Sequence, residues 1–185
     1  IHWSQFNDNP IFQNPANTGE FNGDTRFIGN FRDQWRSVSV PFQTFNVCVD
    51  RKSKHFNYGL LMFHDQAGDG KLKTIEAMVT LSKTFKLTAD SLHILTGGIN
   101  LGINHRQVNT DAFYFDSQYN GYIFNPLLPT NETFQTDRKT NANIGIGAQY
   151  GWNLSSRHYL KIGLSALNLN QPNQGFYQDV IKRDL

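Results

Sequence analysis

The chain has 185 residues and a formal net charge of +2, which is too small to indicate a nucleic-acid partner. Its only cysteine, Cys48, excludes an internal disulfide and a cysteine-based zinc site. Charged residues make up 17% of the sequence, against about 25% in soluble domains, and aromatic residues make up 14%. No apolar run approaches the roughly 18–20 residues of a membrane-spanning helix. This composition fits a β protein whose surface is not wholly in water.

Turn-forming residues fill the first part of the chain, before any strand pattern begins. The prolines of Asn9-Pro10 and Asn14-Pro15 hold the preceding asparagines in extended or turn geometry and remove backbone donors. Such a segment cannot join the interior of a sheet. We therefore predict a lead-in segment over residues 1–24 and a sheet region over residues 25–185.

Seven segments then alternate apolar and polar residues with period two, which predicts strands with two unlike faces. Four residues depart from the alternation: Ile28, Asp33, Leu61 and Phe63. In chain order, the apolar faces hold Phe27, Gly29, Phe31 and Trp35; Phe45, Val47 and Val49; Phe56, Tyr58, Leu60 and Met62; Ile75, Ala77, Val79, Leu81 and Phe85; Leu95, Gly97, Ile99, Leu101 and Ile103; Ala142, Ile144, Ile146, Ala148, Tyr150 and Trp152; and Leu160, Ile162, Leu164 and Ala166.

The predicted connections differ in length. Residues 50–55 and 153–158 are short and polar, as hairpin loops are, and residues 64–74 form a longer glycine-rich loop. Residues 108–140 form a long connection with many aromatic residues. A connection of that length is typically functional or folded over another part of the molecule.

The polar faces decide which kind of sheet is predicted. They carry mainly Gly, Ser, Thr, Asn and Gln, which suit a crowded, hydrated barrel lumen better than an open solvent face. Strands of about 10 residues with apolar outer faces and polar inner faces are typical of transmembrane β-barrels, which carry aromatic residues at the membrane interfaces. We assign that interfacial role to Trp35, Phe56, Phe85, Trp152 and Tyr159. An ordinary soluble antiparallel sheet remains the alternative.

No motif indicates chemistry. The glycine-rich loop lacks the ligand spacing of a calcium loop, and the six histidines are scattered without a metal-ligand spacing. No Gly-x-Ser-x-Gly motif supports a nucleophilic serine. We predict no catalytic residue, no cofactor and no metal, and hence no enzyme.

Five ordered stretches resemble the PorP/SprF family of type IX secretion system membrane proteins. Near the start, the chain reads His-Trp-Ser-Gln-Phe, then Asn-Pro-Ala-Asn-Thr-Gly, then Phe-Arg-Asp-Gln-Trp, which is similar to the family's opening pattern. The other four matching stretches are residues 64–74, 98–109, 124–134 and 167–177, the last with Leu167 and Gly175 as departures.

The resemblance implies a bacterial outer-membrane barrel of about fourteen antiparallel strands, of which this chain holds roughly the N-terminal half. It implies a non-enzymatic role in type IX secretion and gliding, supporting the export or surface anchoring of a partner adhesin through its C-terminal domain. Residues 1–24 are then expected to be a periplasmic lead-in that plugs the lumen or meets a partner, and residues 25–185 the N-terminal part of the barrel. The partner-binding residues expected from the lead-in and the long loop are Phe6, Pro10, Phe12, Pro15, Phe21, Phe124, Pro126, Pro129 and Phe134.

Other functions remain open on the sequence alone. The barrel can instead dock a periplasmic peptidoglycan-binding lipoprotein or a secretion ring component to the outer membrane. A passive porin and a soluble ligand-binding barrel are further alternatives. Outer-membrane lipid is an expected partner in each of these alternatives in which the barrel crosses the membrane.

Overall fold

The computed structural model describes residues 8–37, 40–68, 70–155, 157–177 and 181–183. A short helix, α1 (Pro10–Gln13), and a 3-10 helix at Pro15–Asn17 precede the strands, and two further 3-10 helices lie at Thr110–Ala112 and Asp116–Gln118. The strands are β1 (Thr25–Gln34), β2 (Phe42–Arg51), β3 (Asn57–Ala67), β4 (Leu72–Lys86), β5 (His93–Gln107), β6 (Tyr119–Asn120), β7 (Ile123–Phe124), β8 (Arg138–Ser155) and β9 (His158–Ala166).

Seven of these strands form one antiparallel sheet in the order β1-β2-β3-β4-β5-β8-β9, curled into a half-barrel. Each strand pairs with its neighbour along the chain, except that the small β6–β7 hairpin is inserted between β5 and β8. The predicted all-β, antiparallel fold is confirmed.

The two ends of the sheet differ in their connections. Residues 52–56, 87–92 and 156–157 connect strands at the end that we call the turn end. Residues 35–41, 68–71 and 108–137 connect them at the opposite end, the loop end, and the chain after β9 also leaves there. The lead-in segment enters β1 from the turn end.

The faces of the sheet follow the predicted alternation. On the outer face of β5, Leu95, Ile99, Leu101 and Ile103 are exposed, and the same holds for the apolar faces of the neighbouring strands. On the inner face, polar residues such as Asn100 are buried. Side chains that point to opposite faces at alternate positions produce this separation.

Leu61 and Phe63, which break the alternation of β3, have a structural explanation. Both are buried on the inner face, where they form a small apolar core with Ile11, Cys48 and Met78. The inner face therefore carries a small apolar cluster among its polar residues, at the point where α1 packs against it.

Two connections differ from their predicted extent. Because β3 continues to Ala67 and β4 begins at Leu72, the loop predicted over residues 64–74 shrinks to residues 68–71. The long connection ends where β8 begins at Arg138, and it contains two 3-10 helices and the β6–β7 hairpin. Over the described part of the chain, no helix is both long and apolar enough to cross a membrane.

Candidate functional site

The described part of the lead-in segment lies against the polar inner face of the sheet. Pro10 begins α1 and Pro15 begins the following 3-10 helix, at positions where a missing backbone donor costs nothing. Between them Asn14 caps the second helix, accepting a hydrogen bond from the Ala16 backbone N–H at 2.8 Å. The Asn14 side chain also donates to the backbone carbonyls of Ala148 in β8 and Leu164 in β9, at 3.3 and 3.2 Å.

Glycines on the inner face make room for this contact. A Cβ at Gly98 in β5 would collide with the backbone of Pro15 and Ala16, and one at Gly147 in β8 would collide with the Asn14 side chain. The lead-in segment therefore approaches the sheet more closely than any residue other than glycine would allow at positions 98 and 147.

We expect Gly98→Val to displace the lead-in segment, because the added side chain meets backbone atoms that have little room to move. The expected cost is about 1–3 kcal/mol of the free energy of unfolding, with faster hydrogen–deuterium exchange across residues 9–20. Gly97→Val is the matched control, since nothing lies within 4 Å of a Cβ on the outer face at that position. Equal exchange in the two variants would contradict the close contact.

Thr18 fixes the end of the lead-in by three hydrogen bonds. Its hydroxyl bonds that of Thr80 at 2.9 Å, and its carbonyl accepts from Asn57 Nδ2 at 3.2 Å and Ser82 Oγ at 2.6 Å. Thr18 and Thr80 are almost completely buried. These bonds to β3 and β4 satisfy polar groups that water cannot reach.

Two carboxylates flank this contact. The Asp50 carboxylate, whose side chain is 0% exposed, accepts the Gly19 backbone N–H at 2.7 Å and a two-pronged pair from the Arg26 guanidinium at 2.9 and 2.8 Å. Glu20 forms an ion pair with Lys161 of β9 at 2.8 Å. The lead-in is thereby tied to both β2 and β9, which are far apart in the sheet order.

A third carboxylate holds the segment that follows β9. Glu76 is buried on the inner face of β4, where it accepts from Asn143 Nδ2 at 2.6 Å and Asn104 Nδ2 at 3.1 Å. The guanidinium of Arg183 pairs with it at 3.2 Å. A buried carboxylate requires such partners, because burial of an unpaired charge is costly.

An aromatic groove lies at the loop end, with a volume of about 580 Å³. Phe134 is central: its ring centroid lies 4.7 Å from that of Tyr177 and 6.2 Å from that of Phe115. The Phe176 ring lies beside the Arg106 guanidinium, with 5.5 Å between the ring centroid and the guanidinium carbon. Removal from water, followed by the nearby Glu132 charge, raises the pKa of Tyr177 above that of an ordinary tyrosine.

The predicted partner-binding residues fall into two separate groups. Pro10, Phe12 and Pro15 lie on the inner face, and Phe21 lies near the turn end beneath the Arg26 guanidinium; Phe6 lies outside the described residues. Phe124, Pro126, Pro129 and Phe134 lie together at the loop end, lining a second cavity beside the groove. The structure does not bring the two groups together, and their role in binding stays a prediction.

Three of the five predicted interfacial aromatic residues, Phe56, Phe85 and Trp152, lie at the turn end on the outer face. Trp35 follows β1 at the loop end, where its exposed ring packs edge-on against that of Phe42. Tyr159 differs, because its side chain points to the inner side, where it contacts Gly151 and its hydroxyl lies 3.5 Å from Glu20.

Sequence reasoning missed the residues that hold the lead-in, above all Asp50 and Gly98, and it missed Glu76, which holds the segment after β9. A charge or a glycine on the polar face of a strand is a weak local signal. The available indication for the two carboxylates was a charged residue on a strand face otherwise filled by neutral side chains. Such a charge predicts a partner from another part of the chain, because a buried charge needs one. Among the described residues, no group of side chains is arranged to hold a metal ion.

A half-barrel with an exposed apolar outer face and a polar inner face defines the chain as part of a transmembrane β-barrel protein. Residues 1–184 match the family model for "Type IX secretion system membrane protein PorP/SprF", so the chain belongs to that family. The resemblance found in the sequence is confirmed. A search of curated proteins and a search of solved structures returned no match.

Membership settles three predictions at once. The protein is a membrane protein of the type IX secretion system, it is located in the outer membrane, and the family is non-catalytic. The soluble ligand-binding alternative therefore loses its support. Secretion-machinery partners follow from membership in this class, without identifying a particular one.

Proposed function

We propose that this barrel supports the export or surface anchoring of a partner adhesin by binding its C-terminal domain. The observation that carries the proposal is the aromatic groove at the loop end. Outer-membrane barrels have short periplasmic turns and longer extracellular loops, so the loop end is the end that faces the cell exterior. A secreted protein meets the barrel on that side.

The chemistry of the groove suits a protein ligand. Binding energy in protein interfaces is concentrated in buried aromatic anchors and arginine. The groove offers Phe115, Phe134 and Phe176 as apolar walls and Arg106 as a charged edge. An apolar side chain of the partner would fill the groove, and a partner carboxylate would face the guanidinium.

The lead-in segment, residues 1–24, acts in this proposal as a plug on the periplasmic side of the lumen, and residues 25–185 as the N-terminal part of the barrel wall. Support comes from the contacts of Asn14, Thr18 and Gly19 with five strands of the sheet. A filled lumen favours anchoring over the conduction expected of a passive porin.

Docking of a periplasmic ring component or peptidoglycan-binding lipoprotein is the second candidate. Phe21 favours it, because this aromatic ring lies near the turn end with the Arg26 guanidinium 4.7 Å and the Lys52 ammonium 5.6 Å from its centroid. By the same orientation argument, the turn end faces the periplasm.

The test is affinity purification of the tagged full-length protein from detergent-solubilised outer membranes, followed by binding of the recovered partner's isolated C-terminal domain. We expect Phe134→Ala to weaken this binding about 30-fold or more, the effect of losing a central aromatic anchor. Tyr122→Ala is the control, because this loop-end aromatic side chain is fully exposed and lies outside the groove.

Recovery of a periplasmic protein without any secreted adhesin would replace the first candidate by the second. Equal binding by Phe134→Ala and Tyr122→Ala would remove the groove from the proposal. Ion conductance by the purified protein at the level of an open pore would favour the porin alternative.

A further inference from the structure

A basic and aromatic patch lies on the outer face at the turn end. We define this turn-end patch as Arg51, Phe56, Lys83 and Phe85. The Lys83 ammonium lies 4.8 Å from the ring centroid of Phe56 and 5.4 Å from that of Phe85. Both rings are about half exposed, and they point away from the lumen. Arg51 ends β2 on the same face, next to Tyr58 of β3.

The charges near this patch are mostly positive. Lys52, Lys54 and Lys86 are exposed nearby, against Asp24 and Asp90 at the same end of the sheet. Within the described part of the chain, neither Arg51 nor Lys83 forms an ion pair with a carboxylate. The cations of the patch therefore have aromatic neighbours and no anion.

The patch borders the apolar belt of a membrane protein. A lysine in this position lays its methylene stem along apolar surface and extends its ammonium to the headgroup level. Aromatic rings attract a cation, but they do not neutralise it. Anionic lipids supply the negative charge that neutralises such a cation, and basic residues at a membrane surface are attracted to these lipids.

We propose that the turn-end patch binds the headgroup phosphate of an anionic phospholipid in the leaflet at the turn end. Lys83 and Arg51 supply the positive charge, while Phe56 and Phe85 pack against the glycerol region and the first carbons of the acyl chains. This site is separate from the groove and from the lumen, and it does not depend on which protein partner the barrel has.

Native mass spectrometry of the full-length protein tests the proposal, after release from nanodiscs that contain equal amounts of phosphatidylglycerol and phosphatidylcholine. We expect the protein to retain phosphatidylglycerol preferentially. The double variant Arg51→Gln/Lys83→Gln is expected to reduce that preference about fivefold for each charge removed. Lys83→Arg keeps the charge and is expected to keep the preference.

The matched control replaces two cations at the loop end, away from the patch: Lys73→Gln on the outer face of β4 and Lys71→Gln in the turn that precedes β4. The net charge of this control equals that of Arg51→Gln/Lys83→Gln. Equal loss of phosphatidylglycerol in the two double variants would show a general charge effect and overturn the site. Loss of the preference in Lys83→Arg, or no preference in the unaltered protein, would overturn it as well.

Discussion

Asp50→Ala is expected to destabilise the protein by about 3–5 kcal/mol, the cost of leaving a buried ion pair with one partner. The Asp50 side chain is completely buried and accepts hydrogen bonds from both the Arg26 guanidinium and the Gly19 backbone N–H. Without the carboxylate, the guanidinium and the backbone donor lose their partner together. Urea unfolding of the detergent-solubilised protein, followed by tryptophan fluorescence, measures the change.

Two comparisons make that result specific. The double variant Arg26→Met/Asp50→Ala removes the stranded cation, and we expect it to be more stable than Asp50→Ala alone. Asp137→Ala breaks a solvent-exposed pair with Arg138 and is expected to cost only about 0–1 kcal/mol. A similar cost for Asp50→Ala and Asp137→Ala would mean that the lead-in is not held by this carboxylate.

The faces of the sheet could be predicted from the sequence because they depend on local alternation. The segment from Ala142 to Trp152 alternates without exception, and β8 places it with isoleucines outward and Asn143 buried. The same rule misassigned the extent of residues 64–74, since turn-forming glycines near Ala67 and Leu72 hid the continuation of both strands.

The position of the lead-in could not be predicted in the same way. Its prolines exclude it from a sheet interior, which is a local property, but its partners are distant in sequence. Asn14 reaches the carbonyl of Leu164, and Thr18 reaches Ser82. A period-two pattern contains no information about what covers the polar face of a sheet.

Leu61 and Phe63 show how the local pattern along a strand is connected to contacts between residues that are distant in sequence. Within β3 they interrupt the alternation of apolar and polar residues. In the folded protein they form the apolar surface against which Ile11 of α1 packs. The departure from local pattern marks the place where a distant segment packs. Such departures are expected where tertiary contacts override the local preference.

The outer face of β5 provides the second large effect. Ile99 lies midway along the strand and is exposed on the apolar belt, which runs from Leu95 to Ile103 and matches the roughly 9–11 residues of a transmembrane strand. We expect Ile99→Arg to cost about 2–4 kcal/mol, because the guanidinium would lie near the bilayer midplane. Reversible folding of the full-length protein into phospholipid vesicles measures this cost.

His105→Arg is the matched control on the same face of the same strand. His105 lies near the loop end of β5, where an arginine reaches the interface and is expected to cost about 0–1 kcal/mol. The difference between the two variants should disappear in a detergent micelle, whose surface adapts to a charge more readily than a bilayer does. An Ile99→Arg protein as stable in vesicles as His105→Arg would contradict the assignment of this face to lipid.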